Sequence, residues 1–78
     1  MDKQEKKKII GRVISDKRQS KKLTQLELSE LTGLSRNYIC DIENGRYMPS
    51  LDALTKLALP LNIDLNFLLS MTEIQFKY

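Results

Sequence analysis

The sequence predicts an all-α domain of five short helices, and three observations predict it. Apolar residues recur at three- and four-residue spacing in successive segments. Most of these segments open on a capping residue or close on glycine or asparagine. No convincing strand run, repeat or low-complexity stretch interrupts them. With 78 residues there is material for one domain, not two. A chain of this size buries roughly 60% of the surface it exposes when unfolded, so its stability is expected to be modest or assisted by oligomerisation.

Each element has its own signals. Residues 5 to 20 carry Ile10, Val13, Ile14 and Lys17 at helical spacing, with Lys and Arg on the outer faces. Gly11 weakens the middle of this first helix by about 1 kcal/mol relative to alanine without breaking it. Thr24 opens the second helix as N-cap, and Glu27 three residues on completes a capping box. Leu26, Leu28 and Leu31 follow, and Gly33 ends the helix in a tight reversal that favours a positive φ. Ser35 caps the third helix and Gly45 stops it. Pro49 and Ser50 open a fourth, bearing Leu51, Leu54, Leu57 and Ala58. Asp64 caps a fifth that contains Leu65, Phe67, Leu68 and Leu69.

Two short helices joined by a glycine-containing turn suggest a helix-turn-helix, although many helical proteins contain such a corner. The polar residues of the third helix sharpen the reading. At about 100° per residue, Ile39 and Ile42 point inward while Asn37, Cys40, Asp41 and Asn44 gather on the opposite side. Arg36 stands in the first turn, from which a long side chain reaches past the helix end. A helix held from behind and presenting its N-terminal turn suits the DNA major groove.

Charge and composition narrow the classes. The net charge is +3, but residues 1 to 22 hold nine Lys/Arg against three Asp/Glu, and the remainder carries a net −3. A basic front end suits nucleic acid or an anionic membrane surface, and it also fits a merely solubilising face. There is no histidine and one cysteine, so neither an internal disulfide nor an ordinary metal site is expected. No cofactor or small-molecule ligand is implied, and the missing nucleophile–base pair and phosphate loop argue against an enzyme. No signal peptide or membrane-length apolar run is evident, so a cytoplasmic location is expected.

The stretch "LTQLELSELTGLSRNYICDIENGRYMPSLDALTKLA" resembles the lambda-repressor-like, Xre-type helix-turn-helix family. The resemblance rests on Thr24-Gln25, Gly33, Ile39, Ile42-Glu43-Asn44-Gly45 and Pro49-Ser50, and it covers roughly residues 9 to 69. Small phage repressors and restriction–modification controller proteins are the members it is most similar to. The resemblance implies a DNA-facing set of Thr24, Gln25, Ser35, Arg36, Asn37, Tyr38, Asp41, Asn44 and Arg46. In that scheme Gln25 contacts the DNA backbone and braces the recognition helix. Arg36, Asn37 and Asp41 face base edges, where arginine reads guanine and asparagine reads adenine. Tyr38 lies either against DNA or against helix two, and Asn44 and Arg46 contact phosphates. Arg18 and Glu43 match a semi-buried ion pair tying helix one to the end of helix three.

Double-stranded DNA is thus the expected partner. The expected organisation is a basic extension over residues 1–8, a DNA-binding domain over 9–70 and a tail over 71–78. The expected function is a homodimeric repressor or autoregulator on a palindromic operator, with an antitoxin or adaptor of another protein as the rival. Leu65, Phe67, Leu68, Met71, Ile74 and Phe76 supply the expected dimer surface. Pro60 departs from the family pattern and predicts a kink or early end to helix four, while Asn62 replaces a usual glycine.

Overall fold

Asp2 begins the first helix. Its carboxylate accepts from the Glu5 amide at 2.8 Å, and α1 runs from Lys3 to Ser20 in the computed structural model, which describes residues 2–72. Residues 3–8 form the first turns of α1, because Asp2 caps them and lysine is a good helix former. Four more helices follow: α2 Gln25–Thr32, α3 Arg36–Glu43, α4 Leu51–Leu61 and α5 Leu65–Thr72. No strand occurs among the described residues.

The termini follow the capping chemistry. Thr24 Oγ1 accepts from the Glu27 amide at 3.0 Å and the Glu27 carboxylate accepts from the Thr24 amide at 2.9 Å. The Thr24 amide and, to a lesser degree, the Thr24 hydroxyl hold the Glu27 carboxyl below the usual carboxylate range. Gly33 closes α2 at φ 78°. Ser35 accepts from the Tyr38 amide at 3.0 Å and Ser50 from the Ala53 amide at 3.1 Å.

Pro60 does not stop α4 ahead of itself. The helix continues through it to Leu61, which is fully buried and anchors the last turn in the core. Asn62 then turns left-handed at φ 54°, and the amides of Asn62 and Ile63 return to Leu59 and Ala58. That paired closure gives the last carbonyls partners, so the proline's missing donor is felt only within the final turn.

One core joins all five helices. Ile10 and Ile14 of α1, Leu28 of α2, Ile39 and Ile42 of α3, Leu54, Leu57 and Leu61 of α4, and Leu68 of α5 are buried together. Each of these side chains contributes about 1.5–3 kcal/mol on full burial. Leu68 is therefore a core residue and does not belong to the expected dimer surface: with 1% exposure it has nothing left to offer a partner. Leu65 packs half-buried at the edge of the same cluster. Phe67 and Met71 lie on α5, while Ile74 and Phe76 fall outside the described residues. On α2 only Leu28 turns inward, and Leu26 and Leu31 stay exposed.

Gly11 marks the closest approach of two helices. A Cβ there would lie 2.3 Å from the Ile42 carbonyl oxygen and 2.9 Å from that of Glu43. Only a hydrogen fits, and the first helix can thus press directly on the end of the third.

Candidate nucleic-acid interface

Glu43, the last residue of α3, binds three elements together. Its Oε2 accepts from Arg18 Nε at 2.7 Å, and its Oε1 from Arg18 Nη2 at 2.9 Å and Gln25 Nε2 at 3.1 Å. Arg18 Nη1 donates to the Leu23 carbonyl at 2.8 Å. The side chains of Arg18 and Glu43 are only 14% and 6% exposed, so the fork-to-fork geometry and the extra bonds are what make the burial tolerable. The Glu43 hydrogen bonds also raise the Arg18 pKa, which keeps the guanidinium charged. Arg18 on α1, Gln25 on α2 and Glu43 on α3 are thus brought into one network, which sets the angle between the two helices of the motif.

Above this network the N-termini of α2 and α3 converge. Arg18, Thr24, Gln25, Leu26 and Arg36 line an open cleft of about 460 Å³ there. The first amides of a helix have no intrahelical acceptor, and the dipole favours an anion at this end. Ser35 uses its hydroxyl oxygen as a cap, which leaves its hydroxyl proton available to an outside acceptor, whereas the Thr24 hydroxyl also serves the Glu27 carboxylate. Two N-termini and Arg36 make the cleft suited to a phosphate group.

The outer edge of α3 divides into occupied and unoccupied groups. Arg36 and Asn37 are exposed and make no hydrogen bond or ion pair among the described residues. Tyr38 is half-buried against the core, and its hydroxyl accepts from the Ser50 amide at 3.2 Å. It therefore ties α3 to the start of α4, a role that helical periodicity does not assign. Asp41 is paired with Arg46 at 2.9 Å, and the amide of Arg46 bonds the Asp41 carbonyl at 2.9 Å. That carboxylate raises the Arg46 pKa and is itself answered by a cation, a poor arrangement for meeting a base edge but a good one for aiming Arg46. Asn44 folds back onto its own helix, donating to the Cys40 carbonyl at 2.8 Å. Cys40, expected on the exposed face, is half-buried beside it.

Two helices at a glycine turn, one bracing the other and the second presenting unpartnered polar side chains, define a helix-turn-helix domain, a DNA-binding class. A helix-turn-helix family model matches residues 14–68, and the chain belongs to that family. It is 52% identical over 68 residues to the ImmF control region 10 kDa protein of Bacillus phage phi105, covering 87% of this chain and 74% of that protein. It is 44% identical over 57 residues to the immunity repressor protein of the same phage, covering 73% of this chain and 40% of the repressor. A third relative is multiprotein-bridging factor 1 of Candida albicans, 41% identical over 56 residues and matched over 37% of its own length. The chain thus spans most of the first relative and well under half of the other two. Among the described residues no helix is long and apolar enough to cross a membrane, and no group of acidic and sulfur side chains is arranged to hold a metal ion.

Proposed function

We propose that this protein is a sequence-specific DNA-binding repressor or autoregulator that acts as a homodimer on a palindromic operator. The observation that carries the reading is the outer edge of α3. Arg36 and Asn37 stand there without partners among the described residues, on a helix that the Arg18–Glu43–Gln25 network holds from behind. Arginine in that place reads guanine O6 and N7 in a bidentate manner, and asparagine reads adenine N6 and N7. The names of the two phage relatives, a control-region protein and an immunity repressor, support the regulatory sense.

Arg36→Ala is expected to weaken binding to the cognate duplex by about 1 to 3 kcal/mol and to relax preference at one base pair. Selection from a random duplex pool, followed by titration of the selected sequence, measures both. Unchanged affinity and unchanged base preference would refute the assignment of α3.

Two copies are proposed because one eight-residue recognition helix reads only a few base pairs. A two-fold dimer sets two such helices about 34 Å apart on one face of the duplex. Leu65, Phe67, Met71, Ile74 and Phe76, without the buried Leu68, are the proposed dimer surface. Leu59, 87% exposed near the end of α4, adds apolar surface. Sedimentation of the full chain at tens of micromolar, compared with a 1–70 truncation, is expected to give a dimer and a monomer respectively. A monomeric full chain with no palindrome in its footprint contradicts this.

The adaptor reading draws on Leu26 and Leu31, exposed by 55% and 61% on α2. DNA affinity that hardly changes with salt would favour it, since phosphate neutralisation imposes a steep salt dependence.

A further inference from the structure

Asp41 belongs to the outward side of α3, yet its carboxylate is covered. Asn37 and Asp41 are four residues apart on one helix, so Asp41 follows Asn37 by about 6 Å along the axis and about 40° around it. The two share a face, and Asn37 on that face is exposed and without a partner among the described residues. Past the end of α3, Gly45 turns left-handed at φ 73°, and the Arg46 amide reaches back to the Asp41 carbonyl at 2.9 Å. The backbone of Arg46 is thereby fixed, and its Nη1 donates to Asp41 Oδ1 at 2.9 Å. The two partners are unequally placed, with Asp41 28% exposed and Arg46 62%. The carboxylate is the more deeply set of the pair, and the guanidinium is presented to solvent. A guanidinium carries five N–H donors, and the bond to Asp41 occupies one of them.

We propose that Asp41 is a positioning residue that holds Arg46 ready to grip a phosphate of the duplex that Asn37 meets. The inference rests on the DNA-binding reading above and extends it past the end of α3. It differs from the base-edge role that the family resemblance implies for Asp41. Its basis is that the Arg46 guanidinium is tethered to a side chain one turn from Asn37 and on the same face. A free arginine loses rotamer freedom when it takes up a phosphate, whereas here the Asp41 bond has already restricted it. The planar guanidinium keeps its charge, and its remaining donors suit the oxygens of a phosphate. An exposed ion pair is weak by itself, so Asp41 does not withhold the cation from DNA. Simple Coulomb reasoning gives the opposite sign, since a carboxylate on a DNA-facing helix repels the phosphate backbone. The direction in which affinity moves when Asp41 is removed therefore decides between the two.

The test is a double-mutant cycle on binding to a pool of random-sequence duplexes, titrated at several salt concentrations with the full chain, Asp41→Ala, Arg46→Ala and the double variant. Asp41→Ala should lower affinity by roughly 3- to 10-fold, about the worth of one hydrogen bond, although it removes a negative charge. Arg46→Ala should lower affinity at least as far and flatten the slope of log affinity against log salt by about 0.9, as the loss of one phosphate contact requires. In the Arg46→Ala background the change at Asp41 should cost nothing or raise affinity, because only its repulsion is left to remove. Base preference, read by selection from the same pool, should match wild type in both single variants. A rise in affinity on Asp41→Ala in the otherwise wild-type chain overturns the proposal, since Asp41 then competes with the phosphate. An equal loss in both backgrounds, or a changed preference at one base pair, overturns it too, since Asp41 then acts through the fold of α3 or on a base. An unchanged salt slope in Arg46→Ala removes the phosphate contact on which it depends. A wild-type chain that binds no duplex overturns the DNA reading itself, and this role with it.

Discussion

Gly11→Ala is expected to lower the melting temperature by roughly 10–20 °C, the reverse of what a helix-interior glycine replaced by alanine ordinarily does. Helix propensity alone would reward the change by about 1 kcal/mol. The new methyl group, however, would sit 2.3 Å from the Ile42 carbonyl oxygen and 2.9 Å from that of Glu43. Both are backbone atoms at the end of α3, and neither can rotate aside as a side-chain tip would. Relief requires α1 and α3 to separate, and Ile10, Ile14, Ile39 and Ile42 lose their packing as they do. Overpacking of this kind costs about 1–3 kcal/mol and occasionally more, with the upper part of that range expected here. Thermal unfolding followed by circular dichroism measures it. A raised melting temperature would mean that the two helices do not touch at this point.

Glu43→Ala should be the more damaging change. It leaves the Arg18 guanidinium, 14% exposed, with the Leu23 carbonyl as its remaining partner, and it strips Gln25 of its acceptor. Removing one member of a buried pair costs about 3–5 kcal/mol, because the other charge stays buried and uncompensated. Small domains have roughly 5 kcal/mol to lose, so much of the population should be unfolded at 37 °C. Urea denaturation gives the value directly. The double variant Arg18→Met/Glu43→Leu should recover most of the loss, since apolar replacement of a buried ion pair is often neutral or better. It should nevertheless bind DNA poorly, because Gln25 is then no longer held and the cleft at the two helix N-termini lacks Arg18. Recovery of stability without recovery of binding separates the two duties of the network. If the single variant is as stable as wild type, the pair is solvated and carries little of the fold.

Much of the architecture is legible in the chain because caps are local. Thr24 with Glu27, Ser35, Ser50, Gly33 and Asn62 each announce a helix boundary within a few residues, and these boundaries stand where the residues place them. Asp2 gives the same kind of signal for α1, but the lysine-rich stretch after it reads as a solvated arm from charge alone. What the sequence does not disclose depends on distant neighbours. Gly11 looks like a weak point in a helix until α3 is placed against it. Leu68 looks available to a partner until the other eight core residues are assembled around it. The hydroxyl of Tyr38 finds Ser50 twelve residues on, which no helical wheel reveals. At the candidate interface, periodicity alone puts Arg36 and Asn37 on the outside. The pairing of Asp41 with Arg46 requires the left-handed turn at Gly45 between them.

Ile39 and Ile42 are the only residues of α3 that are fully buried, with Glu43 held at its end, so the helix is fastened by a narrow seam. Surface substitutions away from such features usually change stability by less than about 0.5 kcal/mol. Arg36 and Asn37 can accordingly be exchanged for other side chains with little effect on folding. If these two side chains read bases as proposed, two lineages that inherit this scaffold can diverge in the DNA words they recognise by one or two mutations each. Neither must pass through a misfolded ancestor on the way.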